Sequence, residues 1–90
     1  MSKVYLPEYF TTKYQTPELI EIESDTIKEL LSNLISSFPK LETFMYADGK
    51  ELRKFVNIFV DNNDIRDQDG LETKIDRLSE IVIVLAVAGG

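Results

Sequence analysis

Between positions 27 and 38 the chain places Ile27, Leu30, Leu31, Leu34, Ile35 and Phe38 at steps of three and one. A helix that turns once every 3.6 residues or so brings all six onto one stripe. No other stretch restricts the fold as tightly, because a helix with one apolar side must bury it. Thr26 stands just before the stripe, and Glu29 follows three residues later. In this Thr-x-x-Glu arrangement each residue satisfies a free backbone N–H of the first turn. Pro39 cannot donate to the helical ladder, so the helix ends near Phe38. Ninety residues suffice for one small domain, and in a domain that small the stripe is core.

The sheet that covers the stripe must come from the flanking segments. Residues 3–10 carry Val4 and Leu6 on one face ahead of Pro7, which suits a strand or its end. Residues 11–17 are polar and read as a hairpin loop. Ile20 and Ile22 then keep a period of two within residues 18–23, predicting a second strand antiparallel to the first. Beyond the helix, residues 40–52 are mixed, with Leu41, Phe44 and Met45 on a short helical turn and Asp48-Gly49 as a turn. Residues 53–61 alternate, Val56, Ile58 and Val60 on one face and Phe55, Asn57 and Phe59 on the other. Asp61-Asn62-Asn63 is turn chemistry, and Asp64-Ile65-Arg66 reads as a short return strand. Asp69-Gly70 turns the chain again before an irregular stretch over 71–75. Residues 81–87 are apolar on both faces, as in a central strand covered on both sides. The pattern predicts an α+β fold, a mixed sheet packed on one main helix with the first and last strands side by side. It forms one domain over residues 1–90 with a flexible tail at 88–90.

Composition removes several chemistries. There is no Cys and no His, so a thiolate nucleophile, a disulfide, a Cys-ligated metal and the Ser–His and Cys–His pairs are all absent. A net charge of −6 argues against nucleic acid and against an anionic membrane surface, and favours basic patches on protein partners. No signal peptide is visible and the longest apolar run is too short to span a bilayer, so a cytoplasmic location is expected. Asp61, Asp64, Asp67 and Asp69 invite a calcium loop. Counting from Asp61, however, position six is Arg66 rather than Gly, and no metal is expected. Among the 16 carboxylates nothing singles out an acid/base pair. None of Gly49, Gly70, Gly89 and Gly90 opens a helix, so no phosphate cradle is expected either.

Two features remain. If Val56, Ile58 and Val60 face the helix, Phe55 and Phe59 face the other side of the sheet. There they are either a protein-binding patch or are covered by the segment 40–52. The second feature is the Gly89-Gly90 ending, which chance alone produces about once in 200 sequences at the average glycine content. Side chains are absent there, so such a tail can thread a channel that excludes a Cβ. Its α-carboxylate is ionised at neutral pH and is a poor acyl donor until activated, for example as an adenylate.

The run Phe55-Val56-Asn57-Ile58-Phe59-Val60-Asp61, then Asp64-Ile65-Arg66, Gly70-Leu71 and the closing Ala86-Val87-Ala88-Gly89-Gly90, resembles the MoaD/ThiS group. These are β-grasp, ubiquitin-like sulfur carriers. The resemblance implies adenylation of Gly90 by an E1-like adenylating enzyme that uses ATP and Mg, this chain binding no cofactor itself. A thiocarboxylate at Gly90 then hands sulfur to an acceptor. Gly89, Ala88 and Val87 would form the tail that enters the partner's channel, with Phe55, Phe59 and Ala86 as the expected partner interface. The chain would be a co-substrate, with no catalytic residues of its own. Molybdopterin synthesis is the expected pathway, the partner being the molybdopterin synthase large subunit or another sulfur-accepting enzyme. The same resemblance extends to carriers for cysteine or thiamine synthesis and to modifiers joined to lysines through the terminal glycine. A plain interaction module with an incidental tail is the remaining reading. Two positions depart from the group: Leu85 where many members have Pro, and Leu78-Ser79 where members often have Gly-Asp. Leu85 keeps an N–H that Pro lacks, which would let the last strand stay paired further toward the tail.

Overall fold

A computed structural model describes residues 1–48 and 51–86. Strands β1 (Ser2–Tyr5), β2 (Leu19–Ile22), β5 (Val56–Val60), β6 (Asn63–Asp64) and β7 (Glu80–Leu85) form one sheet in the order β2-β1-β7-β5-β6. β1 runs parallel to β7, with Val4 beside Ile81, and every other neighbouring pair is antiparallel. The last strand therefore lies at the centre against the first, as the pattern of apolar residues predicts.

Helix α2 (Ile27–Ser37) crosses one face of this sheet. Thr26 Oγ1 accepts the Glu29 N–H at 3.2 Å, and a Glu29 carboxylate oxygen accepts the Asp25 N–H at 3.1 Å. The reciprocal cap is thus made, its return bond reaching one residue further back than expected. Ile27, Leu30, Leu31 and Leu34 are fully buried, whereas Ile35 and Phe38 sit half-buried at the edge of the stripe. Facing them are Val4, Ile22, Val56, Ile58, Val60, Ile81 and Ile83. Each such side chain stabilises the fold by about 1.5–3 kcal/mol through burial, and Leu6, Phe10, Leu41, Met45, Ile65 and Ile75 complete the core.

Three local readings change. The expected hairpin loop over 11–17 contains part of a helix, α1 (Glu8–Tyr14), and β1 stops at Tyr5. Pro7 is preset for a helix start, and Phe10 and Tyr14, four apart, share one face, with Phe10 fully buried. The helix ends on Gln15, which adopts a left-handed φ of 59°. The return strand is only Asn63–Asp64. Its successor Ile65–Asp67 is a 3-10 turn, because the Asp64 side chain accepts the Arg66 N–H at 2.8 Å and bends the chain. Third, β5 begins at Val56, not 53, and β7 at Glu80, not 81. The short helical turn is found as α3 (Leu41–Met45), followed by a small ribbon, β3 (Tyr46–Ala47) with β4 (Glu51–Leu52), that the pattern does not announce. The turn expected at Asp48-Gly49 includes Gly49, which lies outside the described residues, as do Val87, Ala88, Gly89 and Gly90 with the expected tail.

Candidate functional site

Alternation along β7 sends Ile81 and Ile83 into the core and Val82 and Val84 to the opposite face. Among the described residues no helix covers Val84, which is 42% exposed. The strand expected to be covered on both sides is therefore covered on one, because α2 packs on only one face. Neighbouring strands continue the open surface: Val82 lies beside Tyr5 on β1 and opposite Phe59 on β5, and Tyr5 lies opposite Leu19 on β2. Leu19, Tyr5, Val82 and Phe59 thus form an apolar row across the sheet.

At the end of β7 this surface deepens into a groove of about 870 Å³. Tyr5, Val82 and Val84 form its floor, and Pro7 with Tyr9 one wall. Phe44 and Phe55 build the rest, and Leu85 and Ala86 run along it. The walls are held by aromatic packing. Tyr9 stacks on Phe44 with ring centroids 5.3 Å apart, and Phe44 packs on Phe55 at the same distance. Phe10 meets Phe44 edge-on from the core side. Edge-on and offset geometries suit the aromatic quadrupole and fix the rings. Lys13 lies 5.7 Å from the Tyr9 ring centroid, and its ammonium is pushed above its ordinary range by Tyr9 and then Tyr14.

Phe55 and Phe59, expected as a pair, have different places. Phe44 of α3 leans on Phe55 at the groove wall, whereas Phe59 sits half-buried in the middle of the open face. Segment 40–52 thus reaches Phe55 through Phe44, and both rings are half-buried. Ala86 is exposed, and its N–H donates to the Phe55 carbonyl at 2.7 Å. Pairing with β5 does continue past Leu85, but the amide that carries it is Ala86's. The register places Leu85 opposite Val56, in a pair that does not exchange these bonds. A proline at 85 would leave this connection intact. The other departure, Leu78-Ser79, builds its turn with side chains in place of glycine: Asp76 Oδ1 accepts the Leu78 N–H at 2.8 Å, and the Asp76 N–H donates to Ser79 Oγ at 3.0 Å.

Tyr5, Pro7, Tyr9, Phe44 and Val84 are among the groove residues that the sequence reading missed. They come from three separated segments, and only the rule that one face of each strand opposes the helix face could have nominated Tyr5 and Val84. Among the described residues there is no cluster of three or more acidic side chains placed to hold a metal, and no helix is long and apolar enough to cross a membrane.

Residues 8–90 match the ThiS family. A protein of Archaeoglobus fulgidus named as a candidate sulfur carrier is 39% identical over 72 residues, which cover 79% of this chain and 81% of that protein. The sulfur carrier protein CysO of Mycobacterium tuberculosis is 32% identical over 74 residues, covering 79% and 78% of the two chains. Among solved structures, the Amycolatopsis orientalis BexX/CysO complex contains a chain that superposes with a TM-score of 0.88 at 24% identity over the full length of both. Small archaeal modifier protein 1 of Methanosarcina acetivorans superposes with a TM-score of 0.84 at 27% identity, covering 99% of this chain and 95% of that one. The β-grasp fold is the one these two structures share with this chain.

Proposed function

The chain belongs to the ThiS family, and on that footing we propose that it is a sulfur carrier whose working group is the α-carboxylate of Gly90. The observation that supports this reading is the placement of Ala86. Ala86 is bonded to Phe55 beside an apolar groove, and four residues ending in Gly89-Gly90 follow it. Four extended residues reach at most about 14 Å. A partner seated in the groove would therefore receive Gly90 within a short, fixed radius, through a channel that Gly89 leaves free of any Cβ.

The chemistry follows from the carboxylate. Its carbon is a poor electrophile because an oxide would have to leave. An E1-like adenylating enzyme, supplying ATP and Mg, lets a Gly90 carboxylate oxygen attack the α-phosphorus, and pyrophosphate leaves. A sulfide-level sulfur then adds to the acyl carbon and AMP departs, leaving the thiocarboxylate. This chain contributes the acyl group, the narrow tail of Val87, Ala88 and Gly89, and the docking surface, with Phe55 and Ala86 at the groove and Phe59 beside it. It acts as a co-substrate.

For the acceptor, the likeness to a sulfur carrier protein, CysO, stands beside the resemblance to the cysteine-synthesis carrier, which implies an activated serine derivative as the group that takes the sulfur. Molybdopterin synthesis, where the chain would be the small subunit of a synthase, draws no support from these relatives. The likeness to small archaeal modifier protein 1 favours a second use of the same adenylate, attack by a lysine amine to give an isopeptide.

The test is the intact mass of the chain after incubation with ATP, sulfide and the host's activating enzyme, beside a chain lacking Gly90. Replacement of one oxygen by sulfur on the full-length chain alone is expected. No change, with the enzyme active on another carrier, would contradict the sulfur reading. Conjugates in cell extracts bearing this Gly-Gly remnant on lysine would establish the modifier use.

A further inference from the structure

The two edges of the sheet are finished differently. On the β6 side the edge is short and is plugged by the chain itself. The guanidinium of Arg66 donates to the Lys54 and Val56 carbonyls at 3.0 and 3.1 Å and also to Asn57 Oδ1. Outward-facing acceptors at the start of β5 and just before it, beyond the two-residue β6, are thereby filled, and nothing can pair there without displacing Arg66.

β2 has no such plug. The Leu6 N–H donates to the Glu18 carbonyl at 2.9 Å, and the register pairs Val4 with Ile20 and Ser2 with Ile22. Bonds to β1 therefore fall on the even positions of β2, so the N–H and C=O groups of Leu19 and Glu21 point away from the sheet. Among the described residues no hydrogen bond reaches these four groups. Asn33 covers only the end of the edge, donating to Glu23 O and Ser24 Oγ. An open edge is a template for another strand, and native proteins usually block it with Lys, Pro or a bulge. Here it carries carboxylates instead. Glu18, Glu21 and Glu23 are exposed, with no cation within ion-pair distance among the described residues. Between them Leu19 is 44% exposed and Ile20 half-exposed.

We propose that the β2 edge is a strand-addition site for an extended segment of a partner protein in which basic residues alternate with apolar ones. The backbone of that segment pairs with Leu19 and Glu21, its apolar side chains lie beside Ile20 on the helix-side face, and its Lys or Arg side chains meet Glu21 and Glu23 on the opposite face. A second copy of this chain is the wrong occupant, because pairing β2 with itself aligns three carboxylates from each copy along one ribbon. The site is independent of the tail chemistry and stands or falls without it.

The probe is a synthetic peptide of alternating Lys and Val, titrated into the isotope-labelled full chain, beside a fully N-methylated analogue with the same charge and no N–H. At saturation the Leu19 and Glu21 amides should exchange roughly tenfold more slowly, and the N-methylated analogue should bind roughly tenfold more weakly. Leu19→Pro deletes one outward N–H and leaves the β1 ladder intact, so it should weaken the peptide roughly fivefold with little change in thermal unfolding. If that variant does not fold, the N-methylated peptide still decides on the natural chain. Equal affinity for the two peptides, protection appearing only along residues 82–86, or no protection anywhere would overturn the proposal. So would a dimer of the chain alone that protects Leu19 and Glu21.

Discussion

On β7, Ile81 and Ile83 are 0% and 2% exposed, whereas Val84, the next residue and equally β-branched, is 42% exposed. The two faces of one strand are thus built from the same kind of residue and differ only in what lies against them. α2 covers one face with four buried side chains. The other is left to Tyr5, Val82 and Phe59, and at its end to the groove beside Ala86. Apolar surface left exposed beside Ala86 fits a docking face, since its exposure gains the isolated fold nothing. Substitutions on the helix face should therefore move stability, and those on the open face should move partner binding.

Ile83→Ala tests the first half. Removing its buried side chain from the central strand should cost about 2–5 kcal/mol, read as a fall in the denaturant midpoint with an unchanged slope. Val84→Asp tests the second half. It should raise the KM for this chain in the activating enzyme's reaction by roughly thirtyfold, with a stability change of about 0.5 kcal/mol or less. If Val84→Asp unfolds the protein, or Ile83→Ala leaves it as stable, the contrast between faces is wrong. On the helix itself, Thr26→Ala removes the Oγ1 acceptor for the Glu29 N–H and should cost about 1 kcal/mol, measured the same way.

The smallest effect concerns pH. Burial, and then the Glu42 carboxylate, push the Tyr46 phenol above its ordinary value of 10.0. The phenol keeps its proton in the folded chain where the unfolded chain loses it. Its contribution to stability is therefore complete below pH 10.0 and is lost as pH rises through the higher folded value. Tyr46→Phe should make stability fall less steeply above that pH, and it should leave groove-dependent activation unchanged because Tyr46 lies away from the groove. An activation defect in Tyr46→Phe would extend the docking face beyond the groove.

Much of the helix-face half was legible in the sequence, because the stripe from Ile27 to Phe38, the Thr26–Glu29 cap and the alternation of Val56, Ile58 and Val60 are periodic signals. The open half was less so. Residues 81–87 look the same on both faces, and periodicity cannot show that only one layer of helix exists to cover them. α1 was hidden because Thr11, Thr12 and Lys13 are loop-like in type and its apolar signal is just Phe10 and Tyr14. The groove was hidden because Tyr9, Phe44, Phe55 and Val84 meet only through the topology. Phe55 and Phe59 share a parity in sequence, yet Phe44, eleven residues before Phe55, separates their fates. The Gly89-Gly90 ending is visible only as sequence, since it lies outside the described residues.

The central claim is that docking and chemistry are separable, the groove binding the partner and Gly90 reacting. ATP–pyrophosphate exchange by the activating enzyme, measured with the full chain in the presence of a chain lacking Gly90, tests it directly. The shortened chain should support no exchange of its own. It should inhibit competitively, with an inhibition constant close to the full chain's KM, because its groove is intact. A shortened chain that fails to inhibit would place recognition in the tail itself and contradict the account.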